Sequence, residues 1–579
     1  MVEAQGGGAT AAARLSAAAA KRQPSPPPVV SRAAAELQTR RRCWWCNRRR
    51  ALPAVCVAAA ALVAAVVVLS GGWGPPNDMP SSLFSDDARG LEDITASNLT
   101  ADHLLNGLLT ADFPYQSCRS RYEFAGYHKK SSHKPSPYLV AKLRKQEELQ
   151  RRCGPGTAEH RKALQRLDSG EGTASDASDG ECRYLVYISF RGLGNRMIAI
   201  ASAFLYAVLT DRVLLVDGGK EVADLFCEPF PGTTWLLPLT GKRTPLRNLD
   251  DYIGESKESL GNMVQSGAVV KSADGNLSWS PPRPPPYVYL HLAGGYGNIG
   301  ELFFCSLHQR LLHDVPWLLM RTDNYFVPGL FLTPPFAGEL EAMFPEKDAA
   351  FHHLGRYLFH PTNSVWNAVT SYYRSNLATA GRRVGIQIRV FQKKQPREQV
   401  LDQLLSCVRR EKLLPETTAT GDNMTVLVTS LSPWYSGMIR DEYGGQVAGG
   451  VHQPSHVGRQ RWGDTMHDRR ALSEMYLLSM CDVLVTSGYS TFGYVAQGLA
   501  GLRPWVMPMP PMWEEWEEGQ ATPEPPCRRA LSVEPCFHSP AYRDCAGTGV
   551  DLDKVAPYIR RCVDVDGGIK LVNESASEW

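Results

Sequence analysis

The sequence lacks the short motifs that mark several large enzyme classes. It contains no P-loop, no HExxH zinc motif and no Gly-x-Ser-x-Gly nucleophile elbow. The common signatures of nucleoside triphosphate hydrolysis, zinc proteolysis and α/β-hydrolase chemistry are therefore missing. It also has no repeat at a fixed period, which excludes a solenoid or a propeller. What it does have is length: its 579 residues exceed one ordinary domain.

A large charge of either sign is missing as well. The formal net charge is +3, from 62 Lys and Arg against 59 Asp and Glu. Residues 1–50 carry ten Lys or Arg against two acids, a net charge of +8, so the remaining residues sum to about −5 (+3 minus +8). Because the basic residues cluster in a low-complexity tail and form no stripe across the folded part, we do not expect nucleic acid as a partner.

Residues 51–70 contain no charged side chain. About twenty apolar residues are enough to cross a bilayer. The run RRRCWWCNRRR precedes them, and no Lys or Arg follows until Arg89. The positive-inside rule then predicts a type II membrane protein, because so long a basic leader does not suit a cleaved signal peptide. We expect a disordered cytoplasmic tail over 1–50, a signal anchor over 51–70 and a lumenal stem over 71–101.

Cysteine is not scarce, since three of the 14 cysteines lie in or before the anchor and eleven lie beyond it. A lumenal location predicts that these eleven form disulfides. An odd number leaves one thiol over, and Cys481, in the apolar run MYLLSMCDVLVTS, is the candidate. The spacing does not reveal the pairing. Four N-glycosylation sequons agree with a lumenal location, at Asn98, Asn276, Asn423 and Asn573.

The stretch from Tyr184 to Asp217 predicts a βαβ unit. An apolar run leads into a turn with Gly192 and Gly194, an amphipathic helix follows, and a second apolar strand covers Val213–Val216. Such folds bind ligands at the carboxyl ends of their parallel strands. Strands alternate with helices in both halves, which predicts an α/β protein with two doubly wound lobes facing a cleft. Further strands are predicted at Tyr287–Leu292, Trp317–Arg321, Arg383–Val390, Thr425–Thr429 and Val483–Thr486.

The turn RGLGNR, residues 191–196, brings hydrogen-bond donors to a helix start. Glycines let backbone N–H groups approach a ligand closely, and Asn195 and Arg196 add side-chain donors beside Gly192. The third glycine of a dinucleotide fingerprint is missing, so a nicotinamide enzyme is disfavoured. A tight structural turn is the alternative interpretation.

Residues 384–390 predict a buried strand that carries the guanidinium of Arg389 near its end. Burying an arginine is costly unless an anion accompanies it. A diphosphate leaving group is such an anion, because the planar guanidinium binds phosphate oxygens bidentately. An ion pair within the protein is the alternative.

Residues 483–498 predict a strand, a loop rich in Ser, Thr and Gly, and a helix that begins at about Gly493. Ser487, Ser490 and Thr491 lie where hydroxyls and helix-start N–H groups can hold phosphate oxygens. Simple N-capping explains the same residues equally well.

The segment RTDNYFVP delivers Asp323 from the end of a strand to a loop between the predicted lobes. A carboxylate at this place can orient or deprotonate an acceptor hydroxyl. Capping or turn chemistry is the alternative.

Two other groups of residues are weaker candidates. The histidines of FHHLGRYLFHP have no recognised zinc spacing, so we interpret them as a structural helix surface. Asp-x-Asp occurs at 551–553 and 564–566, in the C-terminal tail and away from the strand-end loops, so a metal-dependent nucleotide-sugar site is poorly supported.

In these and other segments the chain resembles the plant fucosyltransferase family that includes xyloglucan α-1,2-fucosyltransferases. The resemblance covers about residues 102–575. It is carried by GLLTADF, SRY, RCGPGT, GLGNR, DLFCEPF, TDNYFVP, FHHLGRYLFHPTN, GIQIRVF, KLLPE, VHQPS, STFGYVAQGL and EPCFHSP.

The resemblance implies a GT-B-like fold with two Rossmann-type lobes, an acceptor-side lobe over 102–360 and a GDP-fucose-binding lobe with a C-terminal tail over 361–579. It implies a Golgi enzyme that transfers L-fucose from GDP-fucose to O2 of a galactosyl residue of a cell-wall glycan, with inversion and without a metal or other cofactor. The implied site consists of Arg389 at the departing diphosphate, the turn of Gly192, Asn195 and Arg196, the loop of Ser490, Thr491 and Phe492, and the carboxylate of Asp323.

The chain departs from the wider pattern at two places. Fucosyltransferase relatives have His-x-Arg-Arg at the strand end, where this chain has Gln387-Ile-Arg389-Val390, so a base on that strand is in doubt. Residues 506–526 form a long insertion that departs from the family pattern, and we expect it to reshape the acceptor side. Fucosylation of arabinose on arabinogalactan-proteins and an inactive glycan-binding scaffold are the alternative functions. A homodimer and a complex with other glycosyltransferases are both left open.

Overall fold

The computed structural model of the protein describes thirteen stretches of the chain between residues 104 and 573. They are 104–128, 131–170, 181–238, 245–273, 275–294, 300–390, 397–415, 423–456, 458–461, 463–509, 522–543, 548–552 and 554–573. The predicted tail, anchor and stem, together with Asn98, lie outside them. No helix in these stretches has both the length and the apolar character that crossing a membrane requires.

The strands are numbered in chain order. They are β1 Arg183–Ile188, β2 Arg212–Val216, β3 Val269–Lys271, β4 Leu277–Trp279, β5 Tyr287–Leu292, β6 Trp317–Thr322, β7 Arg382–Ile388, β8 Met424–Ser430, β9 Val451–His452, β10 Val483–Ser487, β11 Trp505–Met507, β12 Arg528–Arg529, β13 Ile559–Arg561 and β14 Ile569–Leu571. Each strand predicted from the sequence is present, with its ends within two residues of the prediction.

The α-helices are numbered in the same way. They are α1 Arg119–Glu123, α2 Pro137–Cys153, α3 Ala158–Ser169, α4 Leu193–Leu209, α5 Gly219–Leu225, α6 Leu260–Gln265, α7 Ser306–His313, α8 Val327–Phe331, α9 Pro334–Met343, α10 Ala350–Leu358, α11 Asn363–Asn376, α12 Arg397–Arg410, α13 Pro433–Tyr443, α14 Thr465–Ser479 and α15 Thr491–Ala500.

Two mainly parallel sheets form the framework. The N-terminal sheet has the order β2-β1-β6-β5 and is parallel throughout. The C-terminal sheet has the order β12-β11-β10-β7-β8-β9, and only the short β11–β12 edge pair is antiparallel. The α/β class with parallel sheets is therefore confirmed. Parallel strands place their carboxyl ends at one edge, so the loops after β1, β6, β7 and β10 are the places for a site.

The two sheets share one apolar core. Side chains alternate along β1: Tyr184 and Val186 face one cluster, and Leu185 faces the other. The cluster on the side of Leu185 continues through α4, α10, α14 and α15 to Leu484 of β10. Nearly every residue of α4 is buried, because this helix contacts β1, β2, α10 and α15. The core therefore fixes the position of one sheet relative to the other.

The histidine-rich helix α10 lies inside this core, so the interpretation as a helix surface is wrong. His352, His353, Arg356 and His360 are all buried, because α10 packs against both α4 and α15. His352 Nδ1 contacts the Gly498 carbonyl oxygen at 2.8 Å, and its Nε2 accepts from Arg356 at 3.0 Å. Burial lowers the pKa of His353 to about 3, which keeps that imidazole neutral.

Four disulfides restrain the described chain, each of a kind that typically adds about 2–4 kcal/mol to stability. The pairs are Cys118–Cys227, Cys153–Cys182, Cys407–Cys527 and Cys536–Cys562. Cys481 is buried and takes part in none of them, as the sequence predicted. Cys545 lies outside the described residues.

We predict that Gly498→Ala destabilises the protein. The added Cβ would lie 2.2 Å from Phe351 Cδ1, inside the shared core, where the ring has no room to move. Overpacking of this kind costs about 1–3 kcal/mol. The matched control is Gly338→Ala on α9, where no atom lies within 4 Å of the added Cβ, and where alanine favours the helix by about 1 kcal/mol. Thermal unfolding measures both; an unchanged midpoint for Gly498→Ala would contradict the packing.

Candidate active site

The first turns of α4 and α15 touch where the two sheets meet. α4 follows the turn after β1, and α15 follows the loop after β10. A Cβ on Gly194 would lie 2.7 Å from Thr491 Oγ1 and 2.9 Å from the Thr491 carbonyl carbon, so a larger residue would force the helices apart. Both helix starts therefore bring their unpaired N–H groups and positive dipole ends to one place, which favours an anion.

Asn195 connects the two sheets through its side-chain amide. Thr491 Oγ1 donates to Asn195 Oδ1 at 3.0 Å, and Asn195 Nδ2 donates to the Asp323 carbonyl oxygen at 3.4 Å. Because one amide contacts the residues that follow β6 and β10, it holds Asp323 and Thr491 at a fixed spacing.

The carboxylate of Asp323 is anchored on both oxygens. Oδ1 accepts from the Gly294 N–H at 2.8 Å and from Asn324 Nδ2 at 3.3 Å. Oδ2 lies 3.5 Å from Arg191 Nε. Arg191 has a φ of +67°, a strained conformation for a non-glycine residue, which β1 and α4 hold in place at the turn. The Asp323 side chain is 14% exposed, so part of it is accessible to solvent.

Arg389 lies one residue beyond the end of β7. Its N–H donates to Ser487 Oγ at 2.9 Å, which ties it to the end of β10, and its Nη2 donates to Gln460 Oε1 at 2.6 Å. Burial lowers the pKa of the guanidinium. Gln460 also approaches the α4 turn, since a Cβ on Gly192 would lie 2.7 Å from Gln460 Nε2. The guanidinium is thus connected, through one amide, to the glycine turn.

The loop before α15 uses its hydroxyls in different ways. The Ser487 hydroxyl is buried and serves the sheet, because it accepts from the Arg389 N–H and donates to the Gln387 carbonyl oxygen at 3.4 Å. Ser490 occupies the N-cap position without a side-chain capping bond, so N-capping does not account for its hydroxyl. Phe492 is half-buried against the shared core, and its N–H is close to Gly194.

Arg196 is directed at carboxylates of the protein. Its Nη2 pairs with Asp468 of α14, and its Nη1 lies 3.5 Å from Glu221 of α5. The side chains of Arg196 and Asp468 are 8% and 7% exposed. The pair therefore joins α4 to α14 inside the protein, and the structure does not group Arg196 with Arg389 and Ser490.

The C-terminal segment supplies residues that sequence reasoning missed. Asp564 Oδ2 accepts from the Tyr489 N–H at 3.2 Å and from the Tyr494 hydroxyl at 2.6 Å. The same hydroxyl lies 3.2 Å from His538 Nε2. The conclusion that the 564–566 motif lies away from the strand-end loops is therefore wrong, because the Cys536–Cys562 disulfide and the β13–β14 hairpin bring it back to α15. The sequence features that could have identified Asp564 and His538 were the Asp-x-Asp motif at 564–566 and the segment EPCFHSP at 534–540.

Two groups in the described chain have metal-ligand geometry. Cys536, Cys562 and Asp564 form one, but the two cysteines are joined in a disulfide and cannot coordinate. His133, Glu346 and Asp348 form the other, in segments before α2 and α10, and His133 Nδ1 already contacts Glu346 Oε2 at 2.6 Å.

Three predicted glycosylation asparagines lie within the described residues. Asn276 and Asn423 are exposed, whereas Asn573 is half-buried. The Asn423 amide donates to the Thr379 carbonyl oxygen.

Two mainly parallel sheets, whose strand-end loops bring together two helix starts, the half-buried guanidinium of Arg389 and the anchored carboxylate of Asp323, are typical of an α/β enzyme of the glycosyltransferase class. The family model described as xyloglucan fucosyltransferase matches residues 84–546. The chain belongs to this family.

Individual members of the family are also similar to this chain over most of its length. A galactoside 2-alpha-L-fucosyltransferase of Arabidopsis thaliana is 48% identical over 82% of this chain and 84% of the relative. Its namesake of Pisum sativum is 44% identical over 86% of this chain and 88% of the relative. A solved structure of an Arabidopsis thaliana FUT1 mutant in complex with GDP is 48% identical and superposes with a TM-score of 0.72, covering 81% of this chain and all of that one.

We predict that Asp468→Asn lowers stability strongly. It leaves the buried Arg196 without its closest carboxylate, and breaking a buried pair costs about 3–5 kcal/mol. Arg196→Met together with Asp468→Leu should lose less than either single change, because no charge is then left alone. Thermal unfolding of the wild-type protein, the single variants Arg196→Met and Asp468→Leu, and the double variant measures the coupling between the two side chains. Additive effects would show that the two side chains do not form a pair.

Proposed function

We propose that the protein transfers L-fucose from GDP-fucose to O2 of a galactosyl residue on a xyloglucan-type cell-wall glycan. The observation that carries the proposal is the convergence of Arg389 with the starts of α4 and α15. Support comes from the relatives named as galactoside 2-alpha-L-fucosyltransferases and from the related structure that contains GDP.

The donor half of the site suits a diphosphate leaving group. When the bond between fucosyl C1 and the phosphate oxygen breaks, the electron pair stays on the diphosphate and positive charge develops on the sugar. Arg389, the N–H groups of Thr491 and Phe492 and the Ser490 hydroxyl stabilise that departing charge. Preorganised donors of this kind are usually the largest catalytic contribution. Because they already supply positive charge, we propose transfer without a metal.

The acceptor half of the site centres on Asp323. Its carboxylate accepts a hydrogen bond from the acceptor hydroxyl, orients the oxygen for attack on C1 from the face opposite the phosphate, and takes the hydroxyl proton as the bond between this oxygen and C1 forms. Inversion at C1 follows from that geometry. Gln387 is buried, and its Oε1 accepts from the Ser487 N–H, so this side chain supports the sheet and does not act as a base. We propose a GT-B-like enzyme, with an acceptor-side lobe over 102–360 and a donor-side lobe over 361–579.

We also propose a type II orientation in the Golgi membrane. Four disulfides and two exposed sequon asparagines are compatible with an oxidising lumen. The charge-free stretch 51–70 and the basic run before it supply the anchor and its direction.

The activity is tested by incubating the purified protein with GDP-fucose and, separately, a galactosylated xyloglucan oligosaccharide or an arabinogalactan-protein. We expect fucose on the oligosaccharide, with the α-1,2 linkage identified by NMR, and the same rate in the presence of EDTA. Transfer only to the arabinogalactan-protein would change the acceptor, and failure to bind GDP would contradict the proposal.

We predict that Arg389→Ala lowers kcat for fucose transfer by about a hundredfold to a thousandfold, since removal of one preorganised donor to a developing anion has this effect. Arg389→Lys should recover only part of the rate, because lysine keeps the positive charge but cannot bind two phosphate oxygens at once as the planar guanidinium does. Steady-state kinetics with GDP-fucose measures both, with the exposed Arg409→Ala on α12 as the control. Wild-type turnover in Arg389→Ala would refute the role.

We predict that Asp323→Asn lowers kcat by about a hundredfold to ten-thousandfold, the range of general acid–base contributions. An amide oxygen still accepts from the Gly294 N–H, so the fold is retained, but the negative charge beside the acceptor hydroxyl is lost. Circular dichroism and GDP affinity should stay unchanged. An unaltered kcat would show that the charge is dispensable.

A further inference from the structure

A cavity of about 510 Å³ opens at the carboxyl end of β5, the edge strand of the N-terminal sheet. The segment 253–265, which includes α6, forms one wall, and the end of β5 with Ala293 forms the other. We call it the β5 cavity. Its volume is within the range of about 300–1,000 Å³ typical of small-molecule sites.

The β5 cavity adjoins the anchored carboxylate through the backbone. Leu292 lines the cavity, and its carbonyl oxygen accepts from Thr322 Oγ1 and from Asn324 Nδ2, each at 3.0 Å. The next lining residue, Ala293, precedes Gly294, whose N–H donates to Asp323 Oδ1 at 2.8 Å. The end of β5 that lines the cavity is therefore hydrogen-bonded to Thr322 and Asn324, the residues on either side of Asp323.

The lining does not suit a phosphate. Among the described residues that line the cavity there is no lysine or arginine. Its ionisable groups are Glu255 and His291, and burial lowers the pKa of the imidazole, which favours its neutral form. The amides of Asn262 and Gln265 and the ring of Phe303 complete a surface with neutral donors, acceptors and an apolar face. Neutral sugars present the same combination of hydroxyls and apolar ring faces.

We propose that the β5 cavity binds the neutral sugar residues that adjoin the acceptor galactosyl group, and that it thereby selects the acceptor glycan. The inference rests on the proposed function, because it assumes that the acceptor hydroxyl lies at Asp323. Ala293 of the cavity lining is followed by Gly294, whose N–H contacts Asp323, so a glycan bound at Asp323 extends along these two residues into the cavity. A glycan bound in this way does not occupy the proposed donor site at the C-terminal sheet.

The test narrows the cavity with Gly254→Leu. A Cβ at Gly254 would be 3.5 Å from His291 Cδ2, an ordinary contact, so the backbone accepts a side chain there. The matched control is Gly338→Leu on α9, which is exposed and has no atom within 4 Å of the added Cβ. Both full-length proteins are assayed with GDP-fucose and a galactosylated xyloglucan oligosaccharide, and hydrolysis of GDP-fucose without acceptor is measured in parallel.

We expect Gly254→Leu to raise KM for the oligosaccharide at least tenfold, while KM for GDP-fucose and the hydrolysis rate remain those of the control. Gln265→Ala, which removes one amide from the rim of α6, should raise KM for the oligosaccharide severalfold and provides a second variant if Gly254→Leu folds poorly. An unchanged oligosaccharide KM in both variants would overturn the inference. If the wild-type protein transfers no fucose to the oligosaccharide, the proposed function itself fails.

Discussion

The contact between the first turns of α4 and α15 is the constraint on which the rest of the site depends. Gly194 lies against the backbone of Thr491, and no other residue type fits between them. The close approach converts two separate helix starts into one cluster of N–H donors. It also sets where the sheets stand relative to one another, because each helix is the first element after a strand of its own sheet.

Much of the surrounding polar structure supports this contact. Asn195 links Thr491 to the residue after β6, and Arg196 links α4 to α14 through a buried ion pair. A buried pair of this kind contributes little net stability compared with apolar packing, but it specifies one arrangement of the two helices. The shared core also fixes the position of α15, since α10 and α15 pack together in it. The turns and strand-end loops of the site are therefore held in place by the helices and strands of the shared core.

The framework was readable from the sequence because it depends on local patterns. Apolar runs that alternate with helical patterns predicted the strands of both sheets, and the strand-end positions of Asp323, Arg389 and Thr491 followed from their order. The sequence could not distinguish the roles of residues that occupy similar positions relative to a strand. Arg196 and Arg389 both follow strands, yet only long-range contacts show that one pairs with Asp468 and the other with Gln460. Asp564 was misplaced for the same reason, because a disulfide and a hairpin return a distant segment to α15.

The most direct measurement is a crystal structure of the protein with GDP bound. The account predicts that the pyrophosphate contacts the Arg389 guanidinium and the N–H groups at the start of α15, with Gln460 displaced or rotated. It would be contradicted by a pyrophosphate bound elsewhere, with the Arg389 guanidinium turned away to a carboxylate of the protein.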